Sequence, residues 1–83
     1  MSHSSHPLAN RALYIQAEQA AEAVFARHRT EKVRRELTRR MDDAACAIFV
    51  AAGAAQDVAR FYATCITCDV LERAHHRERA ASN

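Results

Sequence analysis

One glycine and one proline, Gly53 and Pro7, are the only strong turn formers in this 83-residue chain. Sandwiches, barrels and parallel α/β domains need turn chemistry every ~8–12 residues, and this chain cannot supply it. Alanine, the strongest helix former, occurs 19 times. The expected class is therefore all-α. A chain this short holds one core and buries only about 60–65% of its unfolded surface, so a partner subunit is a natural aid to stability.

Apolar residues recur with the helical period in two stripes. Leu13, Ala17, Ala20, Val24 and His28 fall on one side of a first helix at about 100° per residue. Val33, Leu37, Met41, Ala44, Ile48, Ala51, Ala55, Val58 and Tyr62 form a second stripe out of phase with the first. A break near Arg29–Thr30 accounts for the change, with Thr30 as N-cap and Glu31 at the positive end of the next helix. Gly53 suits the residue just past a helix end. The spacing predicts a bundle of two to three helices, about 8–29, 31–52 and 54–79. Asn10 or the Ser4–Ser5 pair caps the first, and residues 1–7 form a disordered polar arm before a single domain over 8–80. Two other layouts compete. One is an unbroken helix from 31 to about 79; the other is a turn at Asp42–Asp43. His75 to Arg79 reads as a frayed polar end.

The stretch 44–52 is apolar on every face of a helix. Ile48, Phe49 and Val50 point in three directions, whereas a three-helix monomer offers only two neighbours. A homodimer is expected on this ground. Its core and interface positions are Val33, Leu37, Met41, Ile48, Phe49, Val50, Val58 and Tyr62. The longest uncharged apolar run covers 44–55, short of the ~18–20 residues that cross a bilayer, so no membrane partner is expected. The N-terminus lacks a secretory pattern. Three cysteines, an odd number, point to a reducing, cytoplasmic setting. The basic set is dominated by arginine, which with the alanine excess indicates a GC-rich bacterial or phage genome.

Catalytic chemistry finds little support. The serines stand at 2, 4, 5 and 82, away from any His–Asp pair. One glycine cannot build a phosphate-cradling loop, and the carboxylates are scattered. No enzyme activity and no cofactor are expected. Cys65 and Cys68, with His76 two turns on, raise a zinc reading, but the turn residues of a zinc knuckle are missing and plain thiols are preferred. The strongest functional feature is 27–40, with seven basic and two acidic side chains. Arg27, Arg34, Arg35, Arg39 and Arg40 are its candidate partner-binding residues, since guanidinium groups grip carboxylate or phosphate in bidentate fashion. Glu31–Arg35 and Glu36–Arg40 are i,i+4 pairs that offset only part of the charge. The expected function is a small non-enzymatic interaction module, a bacterial or phage regulator or inhibitor of a larger protein. The alternatives are a dimeric RNA- or DNA-binding protein using 27–40, ranked lower because that segment has no aromatics for base stacking, and a zinc-stabilised helical protein.

Overall fold

The computed structural model describes residues 10–28 and 34–82. Three helices follow one another: α1 (Arg11–His28), α2 (Arg34–Ala51) and α3 (Gln56–Ser82). They form a small all-α bundle, and no strand occurs among the described residues. Asn10 starts α1: its Oδ1 accepts the N–H groups of Ala12 (2.9 Å) and Leu13 (3.2 Å). This satisfies two of the donors that every helix N-terminus leaves open.

Gly53 ends α2 in the left-handed region at φ 104°. The Ala54 N–H donates to the Phe49 carbonyl at 3.0 Å and the Gly53 N–H to the Val50 carbonyl at 2.9 Å, the paired bonds of a Schellman motif. The chain reverses here, and α3 begins three residues later. Ala55 serves as its N-cap through its carbonyl, which accepts the Ala59 N–H at 2.8 Å. Asp57 suits the positive end of α3, and its Oδ1 accepts the Val58 N–H at 2.8 Å. The unbroken helix 31–79 and the turn at Asp42–Asp43 are thereby ruled out; both aspartates lie inside α2.

α1 and α3 both pack against α2, and the chain runs up, down and up. Phe49, the largest wholly buried side chain, lies in the last turn of α2. Tyr14 of α1 and Tyr62 of α3 each hold a ring 6.3 Å from its own, tilted by 58° and 54°, within the favoured range for aromatic pairs. The core continues along the helices through Leu37, Met41, Cys46, Ile66 and Val70, with Ala17, Ala21, Ala45, Ala59 and Ala63 in the same cluster. These small side chains let the axes approach closely. α3, at 27 residues, is half as long again as α2, at 18. Its last buried residue is Ala74, and 75–81 are exposed on every face. The molecule measures 51 × 24 × 17 Å, a flattened rod.

The structure corrects several expectations. Of the first helix expected over 8–29 and the second over 31–52, residues 8–9, 29 and 31–33 lie outside those described; Asn10 is a cap rather than helix, and Ala52 is in the turn. The third helix begins two residues later than expected and continues through Ser82, so His75–Arg79 is ordered helix rather than a frayed end. The second stripe does not run on through Gly53. Ala51, Ala55 and Val58 are exposed, and Ala59, Ala63, Ile66 and Val70 are buried instead, because the turn resets the rotation of α3 about its axis. Around 44–52, α1 and α3 cover Phe49 fully and Ile48 in part, while Ala47, Ala51 and Val50 (41% exposed) face outward.

Two substitutions probe this packing. A Cβ at Gly53 meets nothing within 4 Å, so the cost of Gly53→Ala is backbone conformation alone, about 1–2 kcal/mol, read as a lower denaturation midpoint. Thr67 is wholly buried and its Oγ1 has no hydrogen-bond partner. Thr67→Val keeps the shape and removes the unpaired hydroxyl; it is expected to stabilise by about 1 kcal/mol, a rise of roughly 4–8 °C in melting temperature for a domain this size.

Candidate functional site

An odd number of antiparallel helices brings the end of the first, the start of the second and the end of the third to one pole. Here that pole is basic. α1 ends on Arg27 and His28, α2 opens on Arg34 and Arg35, and α3 brings His75, His76, Arg77 and Arg79. Arg27, Arg34, Arg35, Arg77 and Arg79 are exposed, and no ion pair joins any of them to another described residue. Arg34 and Arg35 also stand at the positive end of the α2 dipole, where a cation is disfavoured by some tenths of a kcal/mol.

Arg39, Arg60 and Arg73 are engaged. Arg39 pairs with Glu36 at 2.9 Å, the i,i+3 neighbour rather than the expected Glu36–Arg40 pairing. Arg40 is exposed further along α2. Arg60 of α3 donates to Asp43 of α2 at 2.9 Å, and this hydrogen bond makes its guanidinium hold its proton more tightly than usual. Arg73 sits among Glu18 (2.7 Å), Asp69 (3.2 Å) and Glu22 (3.8 Å), joining α3 to α1. Tyr14 lies beside this network. Burial first, then the charges of Glu18 and Asp69, raise its phenol above the ordinary value. Folding thus favours the protonated phenol, and that contribution is present below the ordinary phenol range and lost as pH climbs through the raised value.

The residues expected to form a core or interface separate into two groups. Leu37, Met41 and Phe49 are buried, and Ile48 and Tyr62 half-buried, within one chain. Val50 and Val58 face outward, and Val33 lies outside the described residues. Cys46 is buried, whereas Cys65 and Cys68 are exposed. On a straight helix, His76 stands about 16 Å along the axis from Cys65 and about 12 Å from Cys68, too far to share a metal ion with them. Among the described residues no group of three or more His, Cys, Asp or Glu side chains is placed to hold a metal. No described helix is long and apolar enough to cross a membrane.

Three contributions were not read from the sequence. Arg77 and Arg79 join the pole only because α1 and α3 run the same way, as the contact of Glu18 with Arg73 requires; three alternating helices already imply it. Arg73 bonds a residue 55 positions away, for which no local signal exists. Phe61, 64% exposed, was adjacent to the assumed stripe and not distinguished from it. Comparison with known protein families, with curated proteins and with solved structures finds no match for this chain.

The thiols give a direct check. In dilute solution Ellman's reagent is expected to modify Cys65 and Cys68 promptly and Cys46 only on unfolding. Prompt reaction of all three thiols would show that the bundle does not close over Cys46.

Proposed function

We propose that the protein acts by binding: it is a non-enzymatic interaction module, a bacterial or phage-encoded regulator or inhibitor in the cytoplasm, that docks its arginine-rich pole onto an acidic surface of a larger protein. The carrying observation is the gathering at one pole of Arg27, Arg34, Arg35, Arg77 and Arg79, none of them ion-paired to another described residue. Elsewhere the bundle matches several of its charges, through Asp43–Arg60 and the three carboxylates around Arg73. At this pole five arginines make no ion pair with another described residue, and two of them stand against the α2 dipole. Local rules broken without an internal gain are a mark of functional surface. Guanidinium groups suit carboxylates in bidentate contact. The pole residues include no Phe, Tyr or Trp, which argues against stacking on single-stranded bases.

Affinity capture from the native host, with and without nuclease, tests this reading. Arg34→Glu combined with Arg35→Glu is expected to weaken capture of the protein partner at least tenfold while leaving the melting temperature within a few degrees of wild type. Unchanged capture by the double variant would refute the role of the pole. Capture that disappears with nuclease, and binding to duplex that falls steeply between about 50 and 200 mM salt, would assign the pole to nucleic acid instead.

A further inference from the structure

A second surface, remote from the basic pole, is carried by the outer side of α3. Val58 (38% exposed), Phe61 (64%), Cys65 and Cys68 are spaced at helical intervals and form one outward ridge. The buried residues Ala59, Ala63, Ile66 and Val70 lie on the opposite side of the same helix. Phe61 makes only an edge contact, its ring centroid 5.5 Å from that of Tyr62. Phe61, flanked along its own helix by apolar and thiol side chains, is the most exposed large hydrophobic among the described residues.

We infer that this ridge is covered by a second copy of the chain, with α3 packed antiparallel on α3. The ridge is ordered by size: Val58 and Phe61 fill its first half, Cys65 and Cys68 its second. Its midpoint is at Ala63. A two-fold axis there sets each Phe61 over the small Cys65 of the other copy, and each Val58 over the small Cys68. A parallel pairing would set Phe61 on Phe61 and leave a gap at the thiols. Alternation of large and small side chains across a contact is what close helix packing demands, and a two-fold contact must be complementary to itself.

Charge favours the same orientation. Asp69 and Glu72 follow the ridge on α3, both exposed, and Glu72 has no ion-pair partner among the described residues. The antiparallel arrangement takes Glu72 to the level of Ala54, just before the positive end of the other α3, and sets Asp69 at the level of Asp57. A parallel arrangement would oppose all three acids to themselves, Asp57 to Asp57, Asp69 to Asp69 and Glu72 to Glu72, and so carries more like-charge contacts. The overlap spans about 20–25 Å of helix, below the ~800 Å² per partner of a standard interface, so the dimer dissociates on dilution. The two basic poles lie at its opposite ends and stay open.

Sedimentation of the full chain from micromolar to millimolar concentration tests the inference, with a short bismaleimide as probe. The wild type is expected to shift from monomer to dimer, to be cross-linked between chains through its exposed thiols, and to react more slowly with Ellman's reagent when concentrated. Phe61→Asp, at an exposed position, is expected to keep the wild-type melting temperature and to weaken dimerisation at least tenfold. Arg34→Glu with Arg35→Glu is expected to leave dimerisation unchanged, so this result stands apart from the fate of the basic pole. A wild type that stays monomeric at millimolar concentration, or a dimer indifferent to Phe61→Asp, would overturn the inference. Loss of captured protein partner in Phe61→Asp, with the wild type monomeric, would give the ridge to that partner instead.

Discussion

Phe49 holds the bundle together in two ways at once. Its side chain meets an aromatic ring from each outer helix, Tyr14 and Tyr62. Its carbonyl closes the α2 terminus, accepting the N–H groups of Ala52 and Ala54. Burial of the ring and reversal of the chain are thus tied to one residue. Docking of α3 fixes the turn, and the turn delivers α3 to the ring. Most other core positions are alanine or medium-sized aliphatics, each contributing less apolar area. The interior is therefore thin, and a large share of its cohesion passes through three aromatic rings.

Charge is organised around this core with a simple logic. Several acidic residues are matched across helices, Asp43 by Arg60 and Glu18 and Glu22 by Arg73, which also pairs with Asp69 on its own helix. Partly exposed pairs of this kind contribute little singly, but they fix which faces meet. Arg27, Arg34, Arg35, Arg77 and Arg79, at the helix ends, make no ion pair with another described residue. The surplus positive charge is consequently displaced to one pole rather than spread over the surface.

The helical class, the cap at Asn10 and the break at Gly53 were legible in the sequence because each rests on local chemistry: alanine content, a side-chain acceptor two or three residues before its donors, and one residue free to adopt positive φ. The register of α3 was not. The stripe through Ala51, Ala55 and Val58 kept its period across Gly53 by coincidence, and a period carries no information once the axis has turned. Ala51, Ala55 and Val58 are exposed for that reason. Of Ile48, Phe49 and Val50, the two neighbouring helices cover Phe49 fully and Ile48 in part and leave Val50 exposed. The basic segment was visible from its composition, but Arg77 and Arg79 enter the same pole through topology, which a linear reading did not use.

The last two turns of α3 stand clear of the bundle, with no buried face beyond Ala74. Helical order there is sustained by local forces alone: alanine propensity at Ala80 and Ala81, and arginine near the negative end of the dipole. Such a segment frays at far lower free energy than the body it extends. The pole therefore combines a stiff half, on α1 and α2, with a compliant half on α3 whose helicity responds to temperature and ionic strength independently of the fold.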